Sequence, residues 1–256
     1  MKVSTLTNVC LTLMLCFALS LPISAQQMFM IHEDVVRVDK MMQYEEAAAT
    51  LHKYIVESGA NLPHSTAMTN DLHYLYVMPL ANHAAIDDFG KNWAPLNQKF
   101  GEEKMNALWK KFDECYDVHK NYLITLDEDL SYYPSGDIMA DDGGNARKWT
   151  YIYAHPDKGE GLTAVAKKWK ELYQKHGIER GYRVYRGGLG TDIGTLIIVD
   201  YGKDLADIAM QEKKNQEKIG AEGQALWMET TAVVRQYEEK YGEMRPDLSV
   251  EPGENR

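Results

Sequence analysis

Four side chains in one short stretch hold most of the chemical potential of this chain. Trp149, Tyr151, Tyr153 and His155 alternate with Thr150, Ile152 and Ala154 over residues 148–155, the two-residue period of a strand. One face is then a wall of rings with polar tips, suited to a flat apolar or aromatic ligand. The same rings suit plain core filling, and both readings stand. Arg183 and Arg186 lie in another strand pattern and fall on opposite faces, so at most one can reach the aromatic wall. A guanidinium there would take a ligand carboxylate through paired hydrogen bonds, or pair with Glu238 or Glu239. Glu33 belongs to His32-Glu33-Asp34, which looks like a metal or acid–base cluster, but alternation sets Glu33 apart from the other two. Two ligands fall short of the three or four that zinc needs, so no metal is expected.

Other motifs are silent. His64, His73, His83 and His119 show no ligand spacing such as H-E-x-x-H. Gly187-Gly188-Leu189-Gly190 lacks a following Lys-Ser/Thr and leads into a strand, so it is no phosphate loop. Asp137, Asp141 and Asp142 lack the EF-hand spacing. Neither G-x-S-x-G nor S-x-x-K occurs. No nucleophile, acid and base set can be assembled.

The elements that must position these residues repeat. Residues 97–134 match residues 215–252 without a gap, including Ala107-Leu108-Trp109 on Ala225-Leu226-Trp227 and Asp129-Leu130-Ser131 on Asp247-Leu248-Ser249. The same offset of 118 sets Asp39 on Asp157 and Gly59 on Gly177. A fixed offset across several elements means one unit made twice. Each unit reads strand, helix, two short strands, helical region, last strand. Asp39 and Asp157 are expected to cap the first helices, and Gly59 and Gly177 to end them. Gly90 and Pro95 are expected to break the second helical region of unit one. Trp109 and Trp227 are expected to be buried beneath their sheets, and each Asp-Leu-Ser to close a turn on local backbone.

The β-α-β-β-α-β order implies a four-stranded antiparallel sheet with both helices on one face. Two such sheets would cover each other within one chain, an α+β fold of two ferredoxin-like units packed sheet to sheet. The expected divisions are 1–25 leader, 26–134 unit 1, 135–147 linker, 148–249 unit 2 and 250–256 frayed tail.

The first residues read as a signal peptide. Lys2 precedes an apolar stretch over residues 8–22, and Ala25 supplies a small residue before the expected cut. The stretch is short of the ~20 residues of a membrane span. Export to the periplasm or the extracellular space follows. Cys10 and Cys16 leave with the leader, and Cys115 remains as a packed thiol in a helical pattern. Removing Lys2 takes 28 basic side chains to 27 against 38 acidic, a balance of −11. No basic cluster occurs, so neither nucleic acid nor an anionic membrane is an expected partner. A monomer or a homodimer is expected.

The element order over residues 28–249 resembles the dimeric α+β barrel superfamily, with its NIPSNAP-like and antibiotic-biosynthesis-monooxygenase-like domains. The resemblance implies that the duplication supplies internally the pair that two chains usually form. It also implies monooxygenases, haem enzymes, isomerases and binding proteins as relatives, without selecting among them. No cofactor is expected; of those the resemblance brings in, haem would use His155 or a tyrosine as axial ligand. Three readings remain: an exported protein holding a small apolar or aromatic molecule between the sheets, a monooxygenase-like or haem-handling enzyme, and a structural module.

Overall fold

The structure, a computed structural model, describes residues 27–136 and 144–251. The leader, the middle of the expected linker and the last five residues lie outside them. Eight strands close one antiparallel barrel: β1 Met28–Val36, β2 Ser65–Thr69, β3 His73–Leu80, β4 Tyr116–Leu126, β5 Ala146–Ala154, β6 Arg183–Gly187, β7 Thr195–Gly202 and β8 Val234–Met244. Around the barrel they run β1-β3-β2-β8-β5-β7-β6-β4. Helices α1 Met41–Ser58, α2 Ala85–Asn92, α3 Ala94–Phe100 and α4 Glu102–Asp113 belong to the first half; α5 Gly159–Lys175 and α6 Leu205–Thr231 belong to the second. Among the described residues no helix is long and apolar enough to cross a membrane.

The expected pair of facing sheets is one continuous sheet. Its two joins are hydrogen-bonded edges, with Ala67 opposite Met244 at β2·β8 and Leu126 opposite Tyr185 at β4·β6. These two pairs interconvert at the offset of 118, as do the isolated bridges His64–Val250 and Tyr132–Tyr182. Closure removes the unpaired edge strands that open sheets must otherwise shield.

Alternation along the strands divides the core in three. Inward residues, among them Ile31, Leu75, Tyr122, Ile124, Trp149 and Ile197, fill the barrel. Outward residues of β1–β3 pack under α1, α3 and α4 around Tyr44, Ala47, Ile55, Leu96 and Phe112. Outward residues of β5–β7 pack under α5 and α6 around Ile152, Leu162, Val165 and Leu172. Leu248 and Val250 from the chain's end join the first-half core, and Leu130 and Tyr132 join the second-half core. Val250 is therefore no frayed tail: it is 2% exposed and pairs with His64. Ala146 and Arg147, expected in the linker, already belong to β5.

Helix ends follow the glycines more closely than the acids. Gly59 caps α1 with φ 69°, and Gly177 takes φ 56° one residue past the cap of α5. Asp39 and Asp157 cap nothing. A 3₁₀ turn at Val38–Lys40 moves the start of α1 to Met41, and Asp39 instead binds Arg37. Gly90 lies inside α2, and the chain breaks instead before Pro95 and at Gly101, whose φ is 81°. In the second half one helix spans the corresponding length. It kinks at Gly220, with φ 49° and ψ −131°.

Candidate functional site

Trp149 and Tyr151 point into the barrel, packed with Ile31, Leu75, Tyr122 and Ile124. An eight-stranded barrel is just wide enough for side chains to fill it, so these rings are core. Glu33, 3% exposed, anchors a polar chain beside them. Its Oε1 meets His73 Nδ1 at 2.5 Å and Lys120 Nζ at 3.3 Å, and the Tyr122 hydroxyl links it to Tyr151. Burial opposes charge on Glu33, but the His73 and Lys120 contacts outweigh it and hold the carboxyl below its ordinary range. Burial pushes both phenols up, so they stay protonated donors.

The remaining predicted residues disperse. Tyr153 is half-buried at the rim of the barrel, 3.5 Å from Glu238 Oε2 with the Arg235 guanidinium over its ring. His155 lies past the end of β5 and is exposed. Arg186 faces outward, and its partners are Asp127 at 2.5 Å and Thr163 at 3.1 Å, not Glu238 or Glu239. Arg183 lies over the rings of Tyr133 and Tyr201. The seven candidates therefore form no single site. Cys115 is buried, as expected, and burial raises its thiol.

Two cavities among the described residues lie outside the barrel, between its outer wall and the helices. The larger, about 1030 Å³, is lined by Thr150, Ile152 and Ile198 from the sheet and by Trp169, Tyr173, Ile219 and Trp227 from α5 and α6. Alternation in β5 placed Thr150 and Ile152 on the helix side correctly, but that side holds the cavity. The bend at Gly220 lines it too. Trp227 is no buried anchor: it is 45% exposed, edge-on to Tyr237 at 6.1 Å. Trp109 is half-buried and lines the other cavity.

Polar groups gather at one end of the larger cavity. Lys148 and Asp200 are cross-strand partners in the β5·β7 register. Lys148 Nζ lies 2.6 Å from both Glu212 and Glu239. Burial works against charge on Lys148, but those two contacts prevail and raise its pKa. Asp200 is half-buried in the wall of the cavity, and burial pushes its carboxyl up to about 7 against the pull of Lys148. The Tyr182 hydroxyl is buried and has no hydrogen-bond partner. Burial also pushes Tyr173 up to about 12, with Asn215 bonded to its hydroxyl.

Haem does not fit here. No histidine lines this cavity, and burial holds its Tyr173 and Tyr182 in the protonated form rather than as the tyrosinate an axial ligand would be. Lys148 is held by Glu212 and Glu239, Arg180 by Asp207 and Arg235 by Asp192, which leaves no free cation for two propionates.

The smaller cavity, about 460 Å³, lies between β1, β3, β4 and the first-half helices. Leu51, Phe89, Trp93 and Trp109 form its apolar side. His32, Asp34, His119 and Asn121 form a polar wall. His64 is bound to the carbonyls of Leu62 and Leu248, and burial lowers its pKa.

Sequence reading missed Asp200, Tyr182 and the meeting of His119 with His32 and Asp34. One signal was present: Asp200 interrupts an otherwise apolar strand, TLIIVDYG. His119 had none, because the register of β1 on β4 brings it opposite Asp34.

No protein-family model matches the chain, and no curated protein matches it by sequence. Solved structures do match its shape. An anthrone oxidase-like protein is similar at 12% identity and TM-score 0.62, over 91% of this chain and 96% of that one. A monooxygenase-like protein from Fusobacterium nucleatum is similar at 11% identity and TM-score 0.54, over 90% and 96%. Chlorite dismutase from Candidatus Nitrospira defluvii is similar at 10% identity and TM-score 0.50, over 88% and 93%. At such identities the likeness shows the fold alone: an α+β fold built on a closed antiparallel barrel of eight strands.

Proposed function

We propose that this is an exported protein that binds one small, largely aromatic molecule in the larger cavity, between β5–β7 and helices α5 and α6. The observation that carries this reading is about 1030 Å³ of mostly apolar space whose wall includes Tyr182, a residue with a buried hydroxyl that has no partner. A buried donor left unmet costs on the order of 1–3 kcal/mol, and a ligand carbonyl or hydroxyl would meet it. Trp169, Tyr173 and Trp227 supply ring surfaces for a flat ligand. Carboxylates outnumber free cations at the polar end, which favours a neutral ligand over an anion. We also infer that the two halves are ferredoxin-like units descended from one, since their joins and bridges repeat at one offset. The leader-like first 25 residues support export to the periplasm or beyond.

A second reading rests on Asp200. A carboxyl pushed up to about 7 is a general base matched to neutral pH. It is equipped to take a proton from a phenol or an activated C–H of the bound molecule, the step that readies such a substrate for dioxygen. The names of the similar structures, anthrone oxidase-like and monooxygenase-like, agree with that class of chemistry.

Anthrone itself is a suitable probe. Titration should quench tryptophan fluorescence saturably, with one molecule per chain by native mass spectrometry. Tyr182→Phe should weaken binding about tenfold, the worth of one buried hydrogen bond. Oxygen consumption with the probe, lost in Asp200→Asn, would select the enzyme. Binding without consumption leaves the binding protein. Absence of saturable binding by anthrone and related tricyclic or bicyclic phenols would overturn both.

A further inference from the structure

We propose that His32, Asp34 and His119 form a binding site for a divalent transition-metal ion of the zinc or iron(II) kind, with open coordination positions towards the smaller cavity. One candidate ligand atom from each residue lies within 4.8 Å of the others. The three come from adjacent strands, where the register sets His32 opposite Asn121 and Asp34 opposite His119.

Asp34 is the buried member of the cluster. It is 3% exposed, and its Oδ1 is turned to the imidazoles of His32 and His119. Its Oδ2 accepts the Tyr44 hydroxyl at 2.6 Å, which fixes the carboxylate with Oδ1 towards the two imidazoles. A buried carboxylate oxygen is costly unless a donor or a cation answers it. His32 Nε2 lies 3.1 Å from that oxygen, close to the ligand–ligand spacing of an ion whose bonds are about 2.0–2.2 Å.

His32 is oriented for the task. Its Nδ1 donates to Asn121 Oδ1 at 2.9 Å, which leaves the Nε2 lone pair towards Asp34. Metal-binding imidazoles are commonly held this way by a carbonyl on the far nitrogen. His119 stands further out, with Nδ1 3.9 Å from Asp34 Oδ1. Its side chain is 53% exposed and its ring lies against Tyr116 and edge-on to His32, so a turn of that ring inward closes the triangle. Two imidazoles and one carboxylate suit zinc or iron(II) and leave positions for water or an organic ligand. The competing state is a protonated His32 paired with Asp34, which binds no metal.

The test uses the tag-free chain, stripped with chelator and titrated with Co(II) and then Zn(II). One Co(II) per chain is expected, with visible d–d absorption displaced by Zn(II). His119→Ala, at an exposed position, should keep the native circular dichroism and weaken Zn(II) binding at least tenfold. Asn121→Ala should weaken it about 10–100-fold by freeing the His32 ring. His155→Ala should bind like the parent chain. No stoichiometric metal uptake would overturn the proposal. So would uptake that survives unchanged in both His32→Ala and His119→Ala.

Discussion

Ser131 Oγ accepts the backbone N–H of Val184 at 2.8 Å, across the boundary between the two halves of the barrel. At the offset of 118, Ser249 Oγ accepts the N–H of Thr66 at 2.9 Å. Each serine also donates to the carbonyl four residues back, Asp127 or Arg245. Each half therefore ends in a turn fastened to a strand of the other half. That exchange places Leu130 in the second-half core and Leu248 in the first-half core.

Ser131→Ala should destabilise the protein by about 1–3 kcal/mol, because the buried Val184 amide loses its acceptor. Ser249→Ala should cost less, since Ser249 is half-buried and water can replace its hydroxyl. Denaturant midpoints at unchanged m-value measure both. A Ser131→Ala protein as stable as the parent would show that the contact is not a fastener.

Much of the fold is legible in the sequence, and much of the candidate site is not. The alternation of Trp149, Tyr151 and Tyr153 against Thr150, Ile152 and Ala154 reads correctly, because sheet faces have a strict period of two. Which face holds space is not a periodic property. It depends on how closely the helices lie on the sheet, and α6 bends at Gly220 where it lines the cavity. The Asp-Leu-Ser turns are legible as chain closers, yet the backbone N–H groups that donate to their serines, those of Val184 and Thr66, lie in the opposite half. His32, Asp34 and His119 meet only through strand register, which no local spacing encodes.

Trp109 and Trp227 occupy matched positions in the sequence and should respond differently to truncation. Trp109 packs on the first-half core and edge-on to Trp93 at 5.3 Å. Trp109→Ala should cost about 3 kcal/mol. Trp227 is 45% exposed at the mouth of the larger cavity. Trp227→Ala should cost about 1 kcal/mol or less, and weaken aromatic ligands instead. Equal losses of stability would return Trp227 to a purely structural role.

Gly220 occupies a backbone region, φ 49° and ψ −131°, that residues with a Cβ reach only under strain. A Cβ there would meet no atom within 4 Å, so the cost is conformational rather than steric. Gly220→Ala should either lose about 1–3 kcal/mol or straighten α6 and reshape the cavity. Thermal unfolding detects the first outcome and loss of probe binding the second. A variant with native stability and native binding would remove the kink from the account of the site.

Asp200 should make stability fall as pH rises. Its ordinary value is 3.8 and burial pushes it up to about 7 in the folded chain. Between those two values the folded state keeps a proton that the unfolded state releases, so each pH unit upward destabilises the fold by up to about 1.4 kcal/mol. Below pH 4 both states are protonated and above about 7 both are ionised, so the effect is confined to that window. Carboxylates held low, such as Glu33, act in the opposite sense by losing stability in acid. The informative quantity is therefore the difference between Asp200→Asn and the parent chain. That difference should be small at pH 4 and grow to a few kcal/mol in favour of the variant by pH 8. A flat difference across this range would mean that Asp200 is already ionised at neutral pH without penalty, and it would remove the general base from the second reading.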